Sequence, residues 1–181
     1  MLIPMRPGVT LYSAAHLPGG WNYQPKLDDE RGMLRIGDGA LYNRHGAPLA
    51  RNKALHFRGV CEELRNLFPA AKWLDLGLIG FRDIRAFGAV RGAVIVFDVP
   101  SADSWLERYA LLAVLPVLDL VAGEVPVAGR AYRLANSWQG AELFEATRNV
   151  RGLEGVIGRR IDAPYLSGES QAMIRLRWLR G

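Results

Sequence analysis

The sequence predicts an α+β fold, with strands and helices mixed rather than alternated. Apolar runs of strand length recur along the chain, whereas only three stretches carry helical spacing. The two kinds do not take turns as a doubly wound parallel sheet requires. The chain has 181 residues, half of them hydrophobic and 23% charged, enough for one good core or two very small ones. A Gly37-Asp38-Gly39 turn between two short strand-like runs adds a hairpin.

That hairpin joins residues 32–36 to residues 40–43. Asn52 is placed to cap a helix running to about Phe68. Phe57, Val60, Cys61, Leu64, Leu67 and Phe68 recur at helical spacing, and Pro69 ends the run. Residues 72–79 and 93–99 read as buried strands. Ser101 is placed to cap a second helix through Leu115, which Pro116 stops. Residues 137–149 read as a third helix, and 155–161 and 173–178 as closing strands. No internal repeat or low-complexity linker divides the chain, so residues 1–181 are expected to form a single domain. Trp73, Trp105 and Trp138 are expected in the core, Cys61 buried and inert, and His45 and His56 structural or exposed.

Composition narrows the function. A net charge of +5 and a pI near 9.7 suit a polyanionic partner. One cysteine permits neither an intrachain disulfide nor a thiolate metal cluster, and His16, His45 and His56 lack zinc-site spacing. Residues 1–10 contain Pro4 and Pro7 and no long apolar run, so no signal peptide is expected. The most apolar stretch, 109–122, is too short to span a bilayer and is broken by Pro116 and Asp119. A cytoplasmic protein with no membrane partner is the expectation.

The chemistry starts at Lys26. Of 23 Lys plus Arg, only Lys26, Lys53 and Lys72 are lysine. Guanidinium stays protonated, whereas an amine can be shifted until it carries a free lone pair. A lysine kept in so arginine-rich a chain, where the acidic, turn-like segment Asp28-Asp29-Glu30 begins, suggests a covalent amine. In an extended strand Asp28 shares a face with Lys26. Glu154 opens an apolar strand that ends in Arg159 and Arg160. Arg175 and Arg177 alternate onto one strand face, a clamp for polyphosphate. Phe97-Asp98 ends a buried strand in an aromatic that suits either stacking on a nucleobase or a place in the core.

In order, these segments resemble the nucleotidyltransferase (adenylation) domain of ATP-dependent DNA ligases, within the superfamily of DNA and RNA ligases and mRNA-capping enzymes. The K-x-D-G motif followed by arginine is similar to Lys26-Leu27-Asp28-Asp29-Glu30-Arg31, and S-R-x-G to Asn43-Arg44-His45-Gly46. The F-D segment resembles Phe97-Asp98, and Arg108 is similar to an arginine in the helix that follows. E-G-V-V-x-K resembles Glu154-Gly155-Val156-Ile157-Gly158-Arg159, and W-L-K-x-K resembles Met173-Ile174-Arg175-Leu176-Arg177. The likeness runs from about Trp21 to Trp178.

The resemblance implies a ligase-type fold of antiparallel sheets flanked by helices, without an oligonucleotide-binding barrel. It implies that Lys26 attacks the α-phosphate of ATP, with Mg²⁺ or Mn²⁺, to form lysyl–AMP. The AMP then passes to a 5′-phosphate on nicked DNA, with RNA as the alternative acceptor. By position, Gln24 reads the adenine edge and Phe97 stacks on the ring. Arg31 and Arg44 hold ribose or the phosphate of the nucleic-acid end. Arg159, Arg175 and Arg177 grip phosphates, and Glu154 helps place the metal.

The chain departs from the pattern. Asp29 replaces the motif glycine. The glutamate of an L-D-G-E-L segment is replaced by Gly77 in Leu74-Asp75-Leu76-Gly77-Leu78, which leaves ribose or metal binding without that carboxylate. Arginine stands for all three phosphate-binding lysines. With no barrel domain after Arg177, either a separate DNA-binding partner acts in trans or catalysis is slow. Two other readings are an RNA ligase or GTP-using capping-type guanylyltransferase, and a degenerate domain that binds nucleic acid without chemistry.

Overall fold

The computed structural model describes residues 2–81 and 84–178; the outermost ends of the expected 1–181 domain lie outside them. Two sheets carry the architecture. The first has the strand order β1-β10-β9-β2, from β1 (Arg6–Leu11), β2 (Trp21–Leu27), β9 (Leu153–Arg160) and β10 (Glu169–Arg177). The second has the order β4-β3-β5-β6-β8-β7, from β3 (Glu30–Arg35), β4 (Leu41–Asn43), β5 (Trp73–Leu78), β6 (Val94–Asp98), β7 (Val117–Leu118) and β8 (Ala131–Leu134). Antiparallel pairings predominate, but β1 runs parallel to β10, and β8 runs parallel to both β6 and β7. The sheets are therefore mixed, and the fold is α+β as the sequence predicts.

The hydrophobic pattern explains the layers. Tyr23, Val156, Ile174 and Leu176 form the buried back of the first sheet and pack with Phe144 of helix α5 (Gly140–Thr147). Leu34, Leu74, Leu76, Val94 and Val96 of the second sheet pack with Phe57 and with Val60, Cys61 and Leu64 of helix α2 (Arg58–Leu67). Cys61 is buried as expected, and burial pushes its thiol up to about 12.

Several boundaries differ from the sequence reading. The helix expected from Asn52 is a short α1 (Arg51–Ala54), a 3₁₀ turn over Leu55–Phe57, and then α2. Asn52 lies inside α1 and caps nothing, while Phe57 in the tight turn is fully buried. After the short α3 (Ile84–Phe87), α4 (Trp105–Leu111) is capped by Ser104, whose hydroxyl and Glu107 close a capping box. Ser101 instead donates to Asp103. The third helix starts late because Ser137 exchanges both backbone hydrogen bonds with Tyr23, at 2.8 Å each. Trp105 is in the core and Trp73 is half-buried, but Trp138 is exposed. Strands β1, β7 and β8 escaped the sequence reading.

The part that matters for function is the step between the sheets. Strand β2 belongs to the first sheet and β3 to the second, and only Asp28 and Asp29 join them. Side chains at that joint face a cleft bounded by both sheets.

Candidate active site

On the first sheet, pairing places Lys26 beside Gly155 and Gly155 beside Arg177; two residues along, Gln24, Ile157 and Arg175 form the next row, and Asn22, Arg159 and Met173 the third. Residues two apart on a strand share a face. Lys26, Gln24, Arg159, Arg175 and Arg177 therefore stand on one face, opposite the buried Tyr23, Val156, Ile174 and Leu176. Gly155 in the middle of the row has φ +136°, and a Cβ there would lie 2.0 Å from the Leu176 carbonyl oxygen. Only glycine fits there.

A bulge delivers the acid. Lys26 pairs with Gly155 but Leu27 pairs with Leu153, so Glu154 is an extra residue in β9. Its carboxylate turns to accept from Lys26 Nζ and, at 3.2 Å, from Arg177. Lys26 Nζ also donates to the Leu27 carbonyl at 3.3 Å. The second sheet uses the same device. Asp75 pairs with Asp98 and Leu76 with Val96, which leaves Phe97 as the extra residue of β6.

Arg31 of β3 is held by Asp75, with nitrogen–oxygen distances of 2.6 and 2.5 Å, and donates to the Met5 carbonyl at 3.1 Å. Tyr165 donates to the same carboxylate at 2.6 Å. Arg31 is thus fixed with its guanidinium carbon 5.4 Å from the Phe97 ring centroid. Arg44 is exposed on a loop whose tight turn is made by Asn43, which accepts from the backbone of His45 and Ala47. Arg175 donates to the Thr10 hydroxyl at 2.6 Å.

Two adjoining cavities result. The larger, about 420 Å³, is lined by Lys26, Arg31, Arg44, Glu154, Arg175 and Arg177, together with Arg6, Asp28 and Asp29. The smaller, about 60 Å³, is lined by Gln24, Phe97 and Arg159, and again by Lys26, Asp29 and Arg31. Every residue singled out in the sequence as catalytic, nucleotide-binding or metal-placing lines one of them, and Lys26 lines both. Asp28 reaches the cleft from the link beyond the end of β2 rather than from a shared strand face.

The small cavity is closed by its own lining. Gln24 accepts from Arg159 at 2.7 Å and donates to the Leu134 carbonyl at 3.4 Å. Phe97 belongs to a core cluster with Ile95 and Tyr132 while also lining the cavity. A nucleobase enters only if these side chains part, since small-molecule sites typically need about 300 Å³ or more. Arg159 stacks on Trp105 at 4.4 Å, and burial draws its pKa down to about 10. Arg108, by contrast, is outside both cavities, paired with Asp98 at 2.7 and 3.2 Å.

Among the described residues there is no group of three or more His, Cys, Asp or Glu arranged to hold a metal. Glu154 can serve one only as a single carboxylate completed by substrate phosphates, the usual arrangement for Mg²⁺. Arg6, Asp75 and Tyr165 were not singled out as site residues in the sequence. Arg6 enters from an unread strand, and the other two act through Arg31.

Comparison with solved structures agrees with the fold. The ligase domain of M. tuberculosis LigD superposes with a TM-score of 0.68 at 20% identity, over 96% of this chain and 58% of that one. A mycobacterial DNA ligase D complexed with ATP and MES gives 0.69 at 20% identity, over 97% and 60%. The Chlorella virus DNA ligase-adenylate gives 0.59 at 16% identity, over 97% and 68%. The fold is that of a DNA ligase domain. The chain spans about three-fifths of the length of the two mycobacterial chains. No family model and no curated protein matches the sequence. Among the described residues no helix is long and apolar enough to cross a membrane.

Proposed function

We propose that this ligase-type fold is a nucleotidyltransferase (adenylation) domain that forms lysyl–AMP from ATP and passes the AMP to a 5′-phosphate end of nicked DNA. The observation that carries the reading is the position of Lys26 Nζ, where the two cavities meet, against Glu154 and in reach of a cleft lined by Arg31, Arg44, Arg175 and Arg177. Two neighbours of the same fold, one complexed with ATP and one a ligase-adenylate, support it.

In this reading Lys26 loses a proton, for which Glu154 is the adjacent acceptor, and its amine forms a bond to the α-phosphorus of ATP. The bond to the bridging oxygen breaks and pyrophosphate leaves with the electron pair. Arg175 and Arg177 stabilise the charge that develops on the leaving phosphates, and Arg31 and Arg44 hold ribose or the phosphate of the nucleic-acid end. With a divalent ion bound, Glu154 and the phosphates would hold it, it would supply further positive charge, and the Lys26 proton would pass to solvent rather than to Glu154. Gln24 and Arg159 exchange their mutual hydrogen bond for contacts to the base and a phosphate, and Phe97 packs against the base. Polynucleotide specificity and any DNA-binding partner in trans belong to the same proposal.

Intact mass after incubation with ATP or GTP and Mg²⁺ or Mn²⁺ tests it. The expected result is a gain of one AMP that Lys26→Arg abolishes. A gain of one GMP instead points to a capping-type enzyme. An unmodified mass from AMP-free protein overturns the catalytic reading.

A further inference from the structure

Asp29 lines the cleft, and the proposed reaction gives it no role. Its Oδ2 is buried and has no hydrogen-bond partner among the described residues. The residue lies in the link between β2 and β3 and lines both cavities. The room for its carboxylate comes from Gly77 on β5: a Cβ there would lie 2.5 Å from Asp29 Oδ2 and 2.7 Å from Phe97 Cζ. Any side chain at position 77 and the present Asp29 exclude each other. Asp29 itself adopts no strained backbone, since among the described residues no non-glycine has positive φ.

We propose that Asp29 accepts a hydrogen bond from a ribose hydroxyl of the bound nucleotide and so selects ribonucleotides as donors. This rests on the nucleotide site proposed above. In any nucleotide the sugar joins the base to the phosphates, so a group lining both the aromatic cavity and the arginine-lined cleft stands beside the sugar. Phosphate is excluded as Asp29's ligand by like charge. The described residues group no three metal-ligating side chains, and the divalent ion of the proposed site is already assigned to Glu154 and the substrate phosphates. A sugar hydroxyl is a neutral donor that one acceptor satisfies. Arg31 and Lys26 nearby favour the ionised, accepting form against the burial that opposes it.

Calorimetric titration of AMP-free protein with ATP, 2′-deoxy-ATP and 3′-deoxy-ATP tests this, alongside adduct formation by mass. Wild type should prefer ATP over at least one deoxy analogue by about 10- to 100-fold, the range for a hydrogen bond to a charged group. Asp29→Gly should bring that ratio near one. The double variant Asp29→Gly/Gly77→Glu, which returns a carboxylate to the same space from β5, should regain part of it. Asp29→Asn, near-isosteric, guards against misfolding of the glycine variant and should weaken the preference without lowering the melting temperature. Equal affinity of wild type for all three nucleotides, with lysyl–AMP formed, overturns the role of Asp29 alone. A ribose preference lost in Asp29→Gly, with no adduct, upholds Asp29 and overturns catalysis. No nucleotide binding overturns both.

Discussion

The buried aspartates of the second sheet, Asp75 and Asp98, each meet an arginine through two nitrogens, Arg31 of β3 and Arg108 of α4 respectively. On the first sheet, Arg159 meets only an amide oxygen and an indole face, and Arg175 only a hydroxyl; Arg177 shares Glu154 with Lys26. Arg108 and Arg159 make the sharpest pair, because both are buried and both lie over Trp105. A buried guanidinium with its own carboxylate is part of the scaffold. One whose direct contacts are neutral, with Asp98 and Asp75 acting on it only through space, has room for an anion of its own. The difference separates cations that build the cleft from cations that use it.

Lys26→Arg breaks the comparison most severely. The substitution keeps a cation beside Glu154, so stability should stay within about 1 kcal/mol. Adduct formation should fall below detection by mass, because guanidinium does not give up its proton. Retained labelling would remove Lys26 as nucleophile.

Asp98→Asn comes next. It strands the buried Arg108 charge, which still donates to the Ala163 carbonyl at 2.9 Å but loses its counter-ion. A loss of about 3–5 kcal/mol is expected by denaturant titration. Arg159→Met is the counterpart. It deletes a buried charge that is hydrogen-bonded to no carboxylate, though Asp98 and Asp75 act on it through space, and it leaves Gln24 short of a donor, so stability should fall by less than in Asp98→Asn. Nucleotide affinity should nevertheless fall about 10- to 100-fold. If Arg159→Met instead destabilises as much as Asp98→Asn, Arg159 belongs to the scaffold.

These contrasts were only partly legible in the sequence. Strand alternation put Arg175 and Arg177 on one face, because that depends on residue spacing alone; the resemblance to the ligase nucleotidyltransferase motifs put Lys26, Phe97, Glu154 and Arg159 in one site. The bulges at Glu154 and Phe97 depend on how neighbouring strands register, and nothing local announces them. Ser101 and Ser104 are both good caps, and only the capping box with Glu107 decides between them. The relation of Asp29 to Gly77 joins the β2–β3 link to β5. In the sequence it read as two separate departures, an added acid and a missing one.

Asp29 also gives a small effect that varies with pH, and one whose sign is unusual. Burial raises its pKa from 3.8 to about 6, against the pull of Arg31 and Lys26 and with some help from Asp75. The folded protein therefore binds this proton more tightly than the unfolded chain does. Its contribution is fully present below about pH 4 and is lost as pH rises through about 6. Two pKa units correspond to an upper limit of about 3 kcal/mol, reduced by whatever solvent reaches the partly exposed residue, so about 1–2 kcal/mol is expected. Denaturant midpoints for wild type and Asp29→Asn should differ little from each other near pH 4. The variant should then gain steadily and level off above about pH 6. A gap between them that does not vary with pH would mean that the carboxylate is solvated in the folded protein. It would then make a weaker acceptor for a sugar hydroxyl than the buried oxygen implies.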